Sequence, residues 1–215
     1  MAPSSCTASV VITTRRCRAA QGVYFMPANL KLADTELSLV PAMNREKILS
    51  VYVDEVKNGY DYILIDCPPS LGMLTINAFV AADSVIIPVQ AEYLPADAMA
   101  QLTKSIARVR RFQNPKLEVE GIVFTMVDER TNLARLSIET IETHFGQHFH
   151  IFESKIPRSV RVAEQPAFGK SIYALDSDGN AAKAYRALSK EVYNRGRQIE
   201  LERKHGIGIG SGGSR

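Results

Sequence analysis

"YDYILIDCPPSLG", residues 60 to 72, is an aliphatic run that stops at an aspartate and then meets two prolines. Its apolar character is continuous rather than alternating, which predicts a strand over 61–66 covered on both faces. Ligands of open parallel sheets bind at the carboxyl ends of the strands, and Asp66 stands at such an end. A carboxylate there can accept hydrogen bonds from the water shell of a magnesium ion, or it can simply end a strand. The run by itself leaves both readings open.

Further strand-like runs lie at 22–29 ("GVYFMPAN"), 84–90 ("SVIIPVQ") and 120–127 ("EGIVFTMV"), with a shorter one at 150–156. Helical periodicity falls between them. Ala98, Leu102, Ile106 and Val109 make one apolar stripe, and Ala134, Ile138, Ile141 and Phe145 make another. Ahead of the opening run, Asn44 is placed to cap a helix and Gly59 to end it. A last helix begins near Asn180, with Ala181, Ala184, Tyr185, Leu188 and Val192 on one side. Strand and helix in alternation predict an α/β fold, a doubly wound and mostly parallel sheet flanked by helices. We divide the chain into a poorly defined segment 1–21, an α/β domain 22–200 and a flexible Gly/Ser-rich tail 201–215.

The chain has 215 residues, 46% hydrophobic and 23% charged, the balance of one globular domain. A net charge of +3 does not announce a nucleic-acid partner, so the distribution of charge matters more than its sum. Lys104, Arg108, Arg110 and Arg111 form a basic run on a predicted helix, by default a solvated face and alternatively one that meets DNA. Cys6, Cys17 and Cys67 lack the count and spacing of a disulfide framework or a zinc site and read as free thiols. No stretch approaches the roughly 20 apolar residues of a membrane span, so a soluble, cytoplasmic protein is expected. Arg15, Arg16 and Arg18 precede the first acidic residue, Asp34, which gives the start a faint transit-peptide composition against the alternative of a poorly structured start.

A phosphate cradle would need GxxxxGK[ST] between a strand and a helix, and nothing in the chain satisfies it. "EQPAFGKS", residues 164–171, ends in Gly169, Lys170 and Ser171 but has Glu164 where the first glycine belongs and Pro166 inside the loop. We read it as a decoy.

From Gly22 to about Tyr193 the chain resembles the ParA/Soj family of partition ATPases, relatives of the MinD cell-division ATPase. The segments that carry the resemblance are "GVYFMPANLKLADTELSLV", "YDYILIDCPPSLGMLTINAFVAADSVIIPVQAEYLPADAMAQL", "EVEGIVFTMVDERTNLA" and "SKIPRSVRVAEQPAFGKSI", in that order. The resemblance implies a P-loop NTPase-like fold that uses ATP and magnesium. Asp66 becomes the Walker B aspartate, catalytic and bound to magnesium through water, and residues 66–72 become the second switch. Met126, Asp128 and Pro157 fall near the adenine pocket. Family members dimerise with ATP and then bind DNA without sequence preference. The arginines implied are Arg130 of "RTNL" and Arg161 of the PRxxR pattern, with Arg158 as a neighbour. Guanidinium groups suit backbone phosphates, which carry no base information, and the alternative is that these arginines form surface ion pairs worth little.

The same resemblance implies that the first strand, a KGGxGKT-type phosphate loop and the first switch are missing, the family pattern being joined only at "VVITTR". The expectation is an N-terminally incomplete chain that does not hydrolyse ATP alone. "SVVITT", residues 9–14, is a candidate to fill part of the gap left in the sheet. Three roles compete: an incomplete ParA-like partitioning protein, a non-enzymatic DNA-binding or regulatory subunit that pairs with a complete ParA, and MinD-like division-site positioning. The last needs a C-terminal amphipathic helix, and "NRGRQIELERKHGIGIG" has no broad apolar face. Expected partners are non-specific DNA, a ParB-like centromere-binding protein, and a second copy or a complete ParA, with no membrane and with nucleoid association.

Overall fold

The computed structural model describes residues 17–20, 23–26, 39, 41–68, 70–91 and 96–204. Segment 9–14 and residues 205–215 of the expected tail lie outside the described residues. The chain divides into two compact units, Met1–Ile87 with Ala96–Val119, and Pro88–Pro95 with Glu120–Arg215. The fold is α/β.

In the first unit, β1 (Cys17–Ala20) pairs antiparallel with β2 (Val23–Phe25), with an irregularity between Arg18 and Ala20. The run 22–29 was expected as a strand of the parallel sheet. Of that run, residues 22 and 27–29 lie outside the described residues; 23–25 is strand, paired antiparallel with β1 and with Val23 exposed, because two residues between β1 and β2 are too short a connection for a parallel crossover.

Helix α1 (Ile48–Val56) is followed by a 3-10 turn, Lys57–Gly59. Asn44 is not its cap: it sits in a left-handed turn at φ 53°, and Lys47 occupies the cap position without a side-chain bond. The cap comes from elsewhere. Helix α2 (Met73–Ala81) buries Asn77, whose Oδ1 accepts the Leu49 N–H at 3.2 Å while its Nδ2 donates to the Arg45 carbonyl at 2.7 Å. The far end of α2 is closed by Asn114, which donates to the carbonyls of Phe79, Val80 and Ala82 at 3.0, 3.3 and 2.7 Å. Two asparagines thus satisfy helix-end groups that no local side chain reaches.

The predicted strand at 61–66 is not a strand. Residues 62–68 belong to no helix and pair with no described strand, and burial alternates: Ile65 and Cys67 are buried, Ile63 is half-buried, and Tyr62 and Leu64 are 66% and 64% exposed. The covered face packs Ile65 and Cys67 on Ala78 of α2, with Leu49, Ile63 and Ala81 around them. A ladder needs a neighbour, and apolar composition cannot supply one. Helix α3 (Ala96–Phe112) turns Met99, Leu102, Ile106 and Val109 inward, with Ala98 only half-buried.

Strands β3 (Ser84–Gln90) and β4 (Glu118–Thr125) form a pair. Glu118 N–H reaches the Asp83 carbonyl at one end and Ala91 N–H the Thr125 carbonyl at the other, so starts meet starts and the pair is parallel. In the second unit β4 gains another parallel neighbour, the segment 150–158, through bridges Ile122 to Ile151 and Val127 to Pro157. That segment is bridged rather than a continuous strand. Gly121 is required there, since a Cβ would stand 2.7 Å from the Phe152 ring.

Helix α4 (Asn132–Phe145) buries Ala134, Ser137, Ile138 and Ile141, leaving Phe145 half-buried. Helices α5 (Val160–Phe168) and α6 (Ile172–Leu175) lead to α7 (Asn180–Lys204), where Ala181, Ala182 and Ile199 are buried and Ala184, Tyr185, Leu188 and Val192 half-buried. The helix runs four residues into the segment assigned to the tail, carried by Ile199 in the core.

Candidate functional site

In the first unit, Asp66 is exposed at the end of the aliphatic run, and the next side chain, Cys67, turns into the core. Burial, helped by the Asp66 carboxylate, pushes the Cys67 thiol up to about 12. After Pro68 the chain turns into α2, with the Thr75 hydroxyl donating to the Ser70 carbonyl at 2.6 Å. Asp66 is exposed, and a carboxylate in water can accept a hydrogen bond from a hydrated magnesium. Among the described residues no group of three or more His, Cys, Asp or Glu side chains could cage an ion directly.

In the second unit, the end of β4 assembles most of the other residues. Met126 leaves the strand at φ 51°, an uncommon conformation for a side chain of that size, and is 46% exposed. Val127 N–H donates to the Ile156 carbonyl at 3.0 Å and Arg158 N–H to the Val127 carbonyl at 3.2 Å, which sets Pro157 and Arg158 beside Met126 to Asp128. Asp128 is forked by Arg130: Nε donates to Oδ1 and Nη2 to Oδ2, both at 2.8 Å, and the Arg130 N–H adds a bond to Oδ1 at 3.2 Å. These hydrogen bonds, with the charges of Arg130 and Arg158, lower the Asp128 carboxyl to about 2. Thr131 closes the turn, donating to the Asp128 carbonyl and capping α4 by accepting the Ala134 N–H at 3.2 Å. Arg135 reaches back to the Glu129 carbonyl at 3.0 Å.

Arg161 stands in the first turn of α5 and is engaged apart from this cluster, with Glu164 at 3.1 Å. That exposed pair is the kind that contributes little. A guanidinium has five N–H donors, so neither Arg130 nor Arg161 is exhausted by its carboxylate. The sequence leaves surface ion pairs open for both arginines but names no partner, and Asp128 and Glu164 are those partners; the threonine cap directly after Arg130 was legible but not read.

"EQPAFGKS" is a helix end: Glu164 to Phe168 lie in α5, Gly169 takes the left-handed C-terminal position at φ 57°, and Ser171 starts α6. It offers no phosphate cradle. Asp66 offers one exposed carboxylate, chemistry that suits a hydrated magnesium, whereas the described residues supply no phosphate loop, and no hydrolytic step can be derived from them. A separate cavity of about 320 Å³, lined by Glu129, Arg135, Ile138, Glu139, Glu142 and Lys155, contains none of the candidate site residues.

A family model described as an AAA domain matches residues 4–119. The sporulation initiation inhibitor protein Soj of Bacillus subtilis is 42% identical over 182 residues, 85% of this chain and 71% of that protein. The chain belongs to the ParA/Soj family of partition ATPases. The chromosome partitioning protein ParA of Myxococcus xanthus is 43% identical over 170 residues, but the chain spans only 59% of its length. Among solved structures, a cobyrinic acid a,c-diamide synthase of Mycobacterium smegmatis, seen elsewhere with ADP and magnesium, aligns with a TM-score of 0.63 at 30% identity, covering 75% of this chain and 58% of that one. Apo McdA of Cyanothece aligns with a TM-score of 0.69 at 16% identity, over 79% of this chain and 68% of that one, a likeness of fold alone. The α/β architecture of this ParA/Soj member is that of the P-loop ATPases.

Proposed function

We propose that this ParA/Soj chain acts in the segregation of chromosomal or plasmid DNA by holding duplex DNA without sequence preference. Arg130 and Arg161 are the phosphate contacts and Arg158 their neighbour. The observation that carries the reading is the exposed turn after β4, where Arg130 and Arg158 both bear on one carboxylate, Asp128. Two guanidinium groups on a surface turn favour a polyanion, and the relatives named for chromosome partitioning supply the biological setting.

Asp66 would meet the hydrated magnesium of bound ATP, with Met126, Asp128 and Pro157 toward the base, and the bound nucleotide would supply the signal to dimerise. The 215 residues contain no GxxxxGK[ST] string, so these residues do not hydrolyse ATP unaided. They work with a second copy or with a complete ParA, and with a ParB-like partner, in the cytoplasm and on the nucleoid. Among the described residues no helix is long and apolar enough to cross a membrane.

The test is fluorescence anisotropy with a random-sequence duplex, with and without magnesium and ATP. Arg130→Ala and Arg161→Ala should each weaken binding by roughly tenfold at moderate salt. Asp66→Ala should remove any gain that nucleotide brings. Parent-like binding by both arginine variants would sink the assignment.

A further inference from the structure

Between Ala98 and Leu117 the sequence carries Lys104, Arg108, Arg110, Arg111 and Lys116 and no Asp or Glu. Those five cations outnumber the net charge of the whole chain, +3, and the other acid-free basic stretch, residues 1–33 with Arg15, Arg16, Arg18 and Lys31, holds four. Helix α3 gives the run a direction. Its core face is Met99, Leu102, Ile106 and Val109. At 100° per residue, Lys104, Arg108 and Arg111 fall within about 60° of one another and diametrically opposite that face. All three are exposed. They form a crest about 10 Å long, the axial rise of about three base pairs.

Complementing the helix dipole accounts for cations only in the last turn, where Arg110 and Arg111 stand, and not for Lys104 and Arg108 further back. Arg111 lies over the Phe112 ring, 5.1 Å from its centroid, which fixes the end of the crest in place. Asp97 stands on the same face two turns before Lys104, so the cationic row is the stretch from Lys104 to Arg111, and that stretch matches a row of phosphates.

We infer that Lys104, Arg108 and Arg111 form a second DNA-backbone contact, distinct from the arginines after β4. The inference rests on the DNA-binding reading above. It adds a surface in the first unit, where that reading has no arginine. Contacts of this kind release counterions, at about 0.9 per neutralised phosphate, so the crest has its own signature in salt dependence.

The experiment measures duplex affinity against salt for the parent and for the triple variant Lys104→Gln, Arg108→Gln, Arg111→Gln. A charge-matched control carries Lys170→Gln, Lys183→Gln and Lys190→Gln, three other exposed positions. The crest variant should lose about 2–3 units of the log–log salt slope and bind roughly 10–100-fold more weakly at 0.1 M salt, while the control keeps the parent slope. Arg108→Gln alone should lose about one unit, which keeps the test sound if the triple variant folds poorly. A parent-like slope in the crest variants overturns the proposal, as does equal loss in crest and control, which would reduce the effect to net charge. Retained DNA affinity with lost binding to phosphatidylserine vesicles would reassign the crest to a lipid surface. Loss on Arg130→Ala with an unaffected crest variant refutes this inference alone, and a parent that binds no duplex refutes both.

Discussion

Two aliphatic runs carry an aspartate out of the core, and they end differently. "EGIVFTMVD" becomes β4 with a parallel neighbour on each side, and residues 120–124 are all buried. "DYILID" is as apolar, yet it pairs with no described strand and has one face covered and Tyr62 and Leu64 in water. At the first end Asp128 is gripped by Arg130, and at the second Asp66 stands exposed. Among the described residues, the same kind of sequence therefore yields a strand where neighbours pair with it and an unpaired run where none does.

The strongest way to break that contrast is to truncate one residue from each run. Phe124 is fully buried in β4, and Phe124→Ala should cost about 3–5 kcal/mol in denaturant unfolding. Leu64→Ala should stay within about 0.5 kcal/mol, because most of its side chain is already in water. Comparable losses would mean that a neighbour covers Leu64 in solution.

The covered face of the second run depends on α2, and α2 is tied to α1 through Asn77. Asn77→Ala leaves the Leu49 N–H and the Arg45 carbonyl without this partner in a partly buried site and should cost about 2–3 kcal/mol, read in the same unfolding experiment. A loss below about 0.5 kcal/mol would show that water replaces both bonds.

How much of this was legible follows from what each feature depends on. The stripes of α3 and α4 were readable because a helix contains its own hydrogen bonds and needs only a face to bury. Strand β3 was readable residue for residue at 84–90. The run at 61–66 was misread because pairing is a property of two segments. Asn77 and Asn114 bond to residues about thirty positions away, and no local pattern marks them. At the candidate site, family resemblance picked out Met126, Asp128, Pro157 and Arg158, which the structure gathers at one strand end. It assigned Asp128 and Arg130 to different ligands and so did not foresee that they bind each other.

That fork gives the third prediction. With its folded value lowered to about 2 from an ordinary 3.8, Asp128 stabilises the turn above pH 3.8 and ceases to do so as pH falls toward 2. Carboxyl-detected NMR should find its midpoint near 2 in the parent, and Arg130→Ala should return it toward 3.8. A midpoint unmoved by Arg130→Ala would place the fork outside the solution ensemble and would leave the two aspartates less different than they look here.

The smallest effect concerns Cys67, where the second run meets the core. Its thiol is held neutral up to about 12, against an ordinary value of 9.0, first by burial and then by the Asp66 charge. For an acid whose folded value is raised, the unfolded chain loses its proton first, so this residue erodes stability as pH climbs from 9 toward 12 and is silent below. Native protein should therefore resist iodoacetamide at Cys67 under mildly alkaline conditions, and peptide mapping should find the label only after unfolding. Asp66→Asn removes the lesser of the two causes and should leave that protection in place. Labelling of native Cys67 at the rate of a free thiol would mean that the run 60–68 is not seated on α2 at all, and the contrast with β4 would then be one between order and its absence rather than between two faces and one.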